Sequence, residues 1–150
     1  DFSIRIFDNG YSCRLFPEAW VYHKRRTDFR KFFKQVYNSG IARINLYKKY
    51  PSSLKLVHLL PAVFTVGVFL LCLSALLLCS LVPLSLLLLY SILIFIDSAT
   101  HYKSIKIGFL SVGAAFTQLM GYGLGFIEAW WKRCIKGKDE FAAFEKNFYK

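Results

Sequence analysis

The hydrophobic pattern of the chain is dominated by one run, Leu56 to Ile96, which holds 41 residues without any Asp, Glu, Lys or Arg. A helix that crosses the hydrocarbon core of a bilayer needs about 20 apolar residues, so the run has room for two spans. Pro83 is the natural break between them, because proline interrupts helical hydrogen bonding. We therefore predict a transmembrane helical hairpin with spans near residues 57–79 and 84–99.

A third apolar segment, residues 107–127, is also uncharged but is richer in small residues, and it includes the stretch "GYGLG". Small residues let helices approach closely in lipid. The stretch therefore predicts either tight helix packing or a broken, re-entrant helix. Trp130 and Trp131 follow after two residues, and neighbouring tryptophans are typical of the interface between membrane and water.

An amphipathic helix is predicted ahead of the apolar run, within residues 27–50. Its apolar positions recur at spacings of three and four, and they are Phe29, Phe32, Phe33, Val36 and Tyr37. Thr27 or Asp28 can cap its start, Gly40 is a candidate interruption, and Pro51 ends it.

The opposite face of this predicted helix carries Arg30, Lys31 and Lys34. Cations opposite an apolar face are typical of a helix that lies in the membrane interface, with its apolar face in lipid and its cations toward the headgroups. Nearer the amino end, residues 2–8 fit a short helix that ends at Gly10 better than a strand. Aromatic and β-branched residues predict a strand at residues 19–22.

Charge divides the chain into three parts. Residues 1–55 hold twelve Lys/Arg against four Asp/Glu, the middle is uncharged, and residues 97–150 hold eight Lys/Arg against five Asp/Glu. The positive-inside rule places the basic head in the cytoplasm, which predicts a multi-pass protein of the inner (plasma) membrane. Three crossings would put the basic tail outside, against the same rule, so residues 107–127 either re-enter the membrane or break the rule.

Several stretches, taken in order, resemble one enzyme family. "DFSIRIFDNGY" looks like the continuation of an acidic motif, "PEAWVYH" matches a strand motif of the form P-x-A-x-V-x-H, and "FFKQVYNSGIAR" stands where processive members carry Q-x-x-R-W. The later "HLLP" and "GYGLGF" look similar as well. Together they resemble the carboxyl-terminal part of membrane-anchored family-2 glycosyltransferases, of the type that makes exopolysaccharides and lipid-linked oligosaccharides.

The resemblance implies a mainly α chain. Residues 1–26 would be the end of a truncated GT-A-type α/β catalytic domain, residues 27–55 an interfacial amphipathic helix, residues 56–131 the membrane region and residues 132–150 a basic tail. The whole enzyme would move a sugar from a nucleotide-sugar donor to a membrane-associated acceptor, either lipid-linked or a polysaccharide. The donor site and the catalytic base would lie upstream, so this fragment alone would be inactive.

The same resemblance implies roles for individual residues. Asp1 would be the last acid of the acidic motif, and the base would lie just before it. His23 would bind a divalent metal, Mg²⁺ or Mn²⁺, or donate to the leaving diphosphate. Diphosphate or acceptor binding would fall to a set of basic and amide side chains, which are Arg25, Arg26, Gln35 and Arg43. Independently of the resemblance, the residue pattern predicts that the membrane interface is contacted by Arg30, Lys31, Lys34, Trp130 and Trp131.

Each of these roles has a simpler alternative. Arg25 and Arg26 suit contacts to lipid headgroups as well as they suit diphosphate, and Gln35 suits a plain helix face. A small, non-enzymatic membrane protein, whose basic head binds anionic lipids and whose helices anchor it, is therefore the competing hypothesis. The membrane spans disfavour nucleic acid as a partner, although aromatic and basic residues alternate in residues 20–37.

Overall fold

The computed structural model of the chain describes residues 2–22 and 28–141, and it is mainly helical. Five α-helices follow one another: α1 (Phe2–Asp8), α2 (Phe29–Lys49), α3 (Leu60–Leu77), α4 (Ser85–His101) and α5 (Ile105–Trp130). Short 3-10 turns lie at Pro51–Ser53, Leu56–His58 and Val82–Leu84, and a π-helical turn at Trp131–Ile135 extends α5. The prediction of a mainly α chain is confirmed.

The amino-terminal segment forms α1 and then an irregular stretch. Gly10 ends α1 with a φ of +77°, which is the left-handed conformation that glycine adopts without strain, so the predicted helix over residues 2–8 is confirmed. The predicted strand at residues 19–22 is wrong: residues 2–22 and 28–141 contain no strand. A strand needs a neighbour to accept its backbone hydrogen bonds, and the amide of Ala19 instead closes a turn on the carbonyl of Phe16.

Helix α2 begins at the cap that the sequence offers. The carboxylate of Asp28 accepts hydrogen bonds from the backbone amides of Arg30 at 2.6 Å and Lys31 at 3.2 Å. The bond from Lys31, and then that from Arg30, hold the pKa of the Asp28 carboxyl below its usual value of 3.8. Helix α2 continues through Gly40 without interruption and ends before Pro51, which lacks the amide hydrogen that another turn would need.

We expect Asp28→Ala to destabilise the first turn of α2, because two amides lose their acceptor. In hydrogen exchange with mass spectrometry, residues 29–33 should exchange faster while residues 40–49 keep their protection. Since the pKa of Asp28 is lowered by folding, the cap is fully present above pH 3.8 and is lost as the pH falls through the lowered value. Asp28→Asn should remain capped both above and below that pKa. Unchanged exchange in residues 29–33 of Asp28→Ala would contradict this role.

Helices α3, α4 and α5 follow the three predicted apolar segments. Each is long and apolar enough to cross a membrane by length and composition, within the segments Leu56–Leu77, Val82–His101 and Ile105–Ile135. Helix α4 runs past the predicted end to His101, because the hydroxyl of Thr100 bonds to the carbonyl of Ile96 and the polar residues remain helical. The stretch "GYGLG" lies inside α5 and does not break it.

Helix α5 is the centre of the fold, since α2, α3 and α4 all pack on it and α2 does so most extensively. The small buried core lies where α2, α3 and α5 meet, and it contains Ile41, Ile44, Ala62, Phe126 and Ala129. Ile44 and Ala129 are fully buried. Helix α4 has no buried residue, and many of its apolar side chains are exposed, as they would be toward lipid.

Candidate membrane-proximal site

Helix α2, which carries most of the predicted membrane-proximal site residues, lies beside α5 over nearly its whole length. The ring of Phe29 lies next to Gly113, Val36 next to Gly121, and Tyr37 next to Gly125. The ring of Tyr47 stacks on that of Trp130 with centroids 5.9 Å apart. Because residue numbers rise together along both helices, α2 and α5 run in the same direction.

Glycines bring the two helix backbones into direct contact. A Cβ atom at Gly40 would overlap the carbonyl oxygen of Tyr122 and lie 2.7 Å from the amide nitrogen of Phe126. A Cβ atom at Gly125 would overlap the carbonyl oxygen of Tyr37. The apolar face of α2 therefore packs on protein, and the prediction that this face lies in lipid is wrong where α5 covers it.

The cations of α2 form a stripe on a face that α5 leaves open. Arg30 and Lys48 are 18 residues apart, which is five full turns, so they point the same way. The remaining members of this cationic stripe are Lys31, Lys34 and Lys49. Arg30, Lys31, Lys48 and Lys49 are exposed and Lys34 is half-buried. The stripe has two parts, residues 30–34 and 48–49, and its outer members lie about 28 Å apart along the helix axis at 1.5 Å per residue.

Gln35 and Arg43 lie at different levels of α2. They are eight residues apart, so they lie about 12 Å apart along the axis of α2. Gln35 is exposed and Arg43 is half-buried. The Nε of Arg43 is buried and has no hydrogen-bond partner among residues 2–22 and 28–141. An extended ligand would suit this separation.

A polar link that the sequence did not predict joins α2 to the end of α5. The guanidinium of Arg133 donates to the Oδ1 of Asn45 at 2.8 Å, and the amide of Asn45 donates to the carbonyl of Phe141 at 3.1 Å. Lys132 pairs with Glu128 one turn earlier, and its ammonium lies 4.7 Å from the ring centroid of Phe141. These contacts hold residues 131–141 over the carboxyl end of α2.

The two tryptophans that end α5 have different surroundings. Trp130 stacks on Tyr47 and also on Phe126, with centroids 6.3 Å apart in the second pair. Trp131 is 52% exposed, and the ammonium of Lys136 lies 5.9 Å from its ring centroid. Trp130 therefore helps to join α2 to α5, and Trp131 remains open to lipid or headgroups.

The remaining predicted site residues, Asp1, His23, Arg25 and Arg26, lie outside the described part of the chain. Within the described part, no group of three His, Cys, Asp or Glu side chains is placed to hold a metal ion. A metal site at His23 would therefore have to draw its other ligands from elsewhere.

Comparison with known proteins adds no relative: no family model, curated protein or solved structure matches the chain.

Proposed function

We propose that the chain is the membrane-proximal, acceptor-side end of a family-2 glycosyltransferase of the inner (plasma) membrane, with its catalytic part in the cytoplasm. One observation carries this proposal beyond the sequence resemblance. Residues 2–22 contain no buried side chain, yet they expose eight large apolar residues: Phe2, Phe7, Tyr11, Leu15, Phe16, Trp20, Val21 and Tyr22. An apolar surface of this extent is typical of a segment that packs against another body, and a catalytic domain would supply that body.

The chemistry of sugar transfer suits the residues that follow this segment. A nucleotide-sugar donor leaves as a diphosphate, so the reaction needs fixed positive charge where that anion forms. Arg25 and Arg26 would supply it, because guanidinium groups bind phosphate oxygens in pairs. His23 would donate to the diphosphate or help to bind a divalent metal, which would neutralise the leaving group. The base for the acceptor hydroxyl would come from the acidic motif that ends near Asp1.

Helix α2 would give this site its position. Its close packing on α5 fixes the cationic stripe to an apolar helix, so the stripe and the residues just before Asp28 would lie at the membrane surface. A lipid-linked acceptor presents its sugar at that surface. Gln35 and Arg43, about 12 Å apart along the helix, suit an extended acceptor better than a compact one.

The alternative is a non-enzymatic membrane protein that binds anionic lipids. The exposed cations of the stripe support it, because each Lys or Arg near an anionic surface contributes about 1 kcal/mol of attraction. The two functions make different predictions for His23, which a lipid-binding surface does not need.

The test is sugar transfer by membrane vesicles that contain the chain within its complete reading frame. Vesicles are supplied with labelled nucleotide sugars, and label in lipid and polysaccharide is counted. We expect His23→Ala to lower transfer by about 100-fold at an unchanged protein level in the membrane. His101→Ala is the matched control, because this exposed histidine at the end of α4 should leave transfer intact.

Two results would count against the enzyme. Full transfer by His23→Ala would remove His23 from the site. No transfer by the wild type with any nucleotide sugar, together with salt-sensitive binding of the protein to anionic vesicles, would favour the lipid-binding alternative.

A further inference from the structure

The cationic stripe restricts how the pair of α2 and α5 can lie in a membrane. The stripe runs from Arg30 to Lys49, from one end of α2 to the other, and α2 is not one of the three helices apolar enough to cross. The stripe lies in the first two turns and the last turn of α2, and between these ends the helix still carries Arg43 and the amide side chains of Asn38 and Asn45. A helix of this polarity avoids the hydrocarbon core, where each charge costs about 2.5–3.5 kcal/mol. It fits the plane of the headgroups. Since α5 lies alongside α2 in the same direction, α5 must have a similar tilt.

Helices α3 and α4 meet α5 in a way that supports this tilt. Helix α3 contacts α5 through Thr65, whose hydroxyl lies 3.4 Å from the carbonyl oxygen of Leu119, and it also lies against Gly123. Helix α4 contacts α5 through Phe95 and Ala99, which lie against Gly108. The contacts at Gly108 and Gly123 are 15 residues apart. The two arms of the hairpin, α3 and α4, therefore reach α5 about 22 Å apart.

The same two arms meet at their other ends, where only residues 78–84 join them. This connection packs on α3 and α4 rather than on α5, and Leu78, Leu81 and Val82 in it are exposed. Each arm is about 25 Å long at 1.5 Å per residue. Two arms of similar length that share a tip and stand about 22 Å apart on α5 form a triangle, so the hairpin stands steeply across α5.

Side chains fill the inside of this triangle. The rings of Phe64, Tyr90 and Phe116, one from each side, touch one another with centroids 5.5 to 5.8 Å apart. Gly108, Phe116 and Gly123 are spaced by eight and seven residues, so the hairpin stands on a single face of α5. Helix α2 occupies a different face, through Gly121 and Gly125.

We infer that α5 does not cross the membrane: it lies with α2 in the plane of one leaflet, in contact with anionic headgroups, and the α3–α4 hairpin is the element that enters the hydrocarbon. This arrangement puts every described Lys and Arg after residue 28 on one side, because Leu56 to Ile96 holds none and both ends of α5 stay at the same surface. It resolves the conflict between three crossings and the positive-inside rule. The shared surface is the cytoplasmic one.

The first test is the sidedness of the two ends of α5. Single cysteines replace Ser104, just before α5, and Lys138, just after it, in a chain whose four native cysteines are changed to serine. A membrane-impermeant maleimide is applied to intact and to permeabilised cells. We expect both cysteines to be labelled only after permeabilisation, as Lys49→Cys on α2 should be. If Lys138→Cys reacts in intact cells and Ser104→Cys does not, α5 crosses and the inference is wrong.

The second test measures depth along α5. Leu110, Thr117 and Leu124 recur at seven-residue intervals, so they lie on one face of the helix. Each is changed to cysteine and carries a fluorophore whose quenching by lipid-attached spin labels reports its depth in vesicles of phosphatidylglycerol and phosphatidylcholine. An in-plane helix gives three similar depths. A crossing helix gives the greatest depth at Thr117, with shallower positions on either side, and that profile would overturn the inference.

Discussion

Gly125→Ala is expected to lower the stability of the fold by about 1–3 kcal/mol, the usual effect of overpacking a tight contact, and to weaken the packing of α2 on α5. The added methyl group would overlap the carbonyl oxygen of Tyr37 and lie 2.9 Å from its carbonyl carbon. Backbone atoms cannot move aside by a rotamer change, so the helices must separate. Gly40→Ala should have a similar effect from the opposite side, where Tyr122 and Phe126 supply the backbone atoms.

Gly67→Ala is the matched control for these substitutions. Gly67 also lies inside a helix, α3, but a Cβ atom there meets nothing within 4 Å. Alanine is favoured over glycine in helices by about 1 kcal/mol, so this variant should be as stable as the wild type or slightly more so. Thermal unfolding in lipid nanodiscs measures all three variants. If Gly125→Ala unfolds at the same temperature as Gly67→Ala, the close contact between α2 and α5 does not exist.

The sequence predicts these helices well because their signals are local. The uncharged runs, Pro83, Asp28 and Pro51 mark the ends of α2, α3 and α4 to within a few residues, since capping and chain breaking depend on neighbours in sequence. The strand predicted at residues 19–22 fails for the complementary reason. Aromatic and β-branched composition describes a segment that fits the surface of a sheet. Such a segment becomes a strand only when a neighbouring strand pairs with it.

The packing of α2 on α5 is a long-range feature, and its signal in the sequence is only partial. Gly121 and Gly125 have the small-xxx-small spacing of close helix contacts, which predicts that α5 packs tightly but does not name its partner. Gly40 is typical of a helix interruption when seen alone. Its role becomes visible only when Tyr122 and Phe126 are placed against it, more than 80 residues later.

Of the candidate site, sequence reasoning identifies the cations of α2 and the tryptophans but misses Asn45 and Arg133. An asparagine near the end of a helix carries no pattern that predicts a partner 88 residues away. The sequence also cannot show that Gln35 and Arg43 lie apart, because their spacing of eight residues is compatible with one helix face or with two separate elements.

Asn45→Ala is expected to destabilise the fold by about 1–3 kcal/mol, because it removes the acceptor of a half-buried guanidinium. The bond from Arg133 to Asn45 involves a charged donor, and such bonds contribute about 1.5–3 kcal/mol. The Nε of Arg133 has no hydrogen-bond partner among the described residues, so this nitrogen does not offset the loss of the bond to Asn45. Ser39→Ala is the control on the same helix, since the exposed Ser39 hydroxyl bonds, within the described part of the chain, to the carbonyl of Gln35 one turn away.

A double-mutant cycle distinguishes the free energy of the Asn45–Arg133 bond from that of the other contacts each residue makes. If the bond exists, Asn45→Ala combined with Arg133→Met should be less destabilising than the sum of the single variants, with a coupling energy of about 0.5–3 kcal/mol. Unfolding in nanodiscs supplies the free energies. A second readout follows from the bond between Asn45 and the carbonyl of Phe141: limited trypsin digestion should cut after Lys136 and Lys138 faster in Asn45→Ala than in Ser39→Ala. Additive free energies with equal cleavage rates would mean that the bond between Asn45 and Arg133 does not help to hold the carboxyl end of α5 on α2.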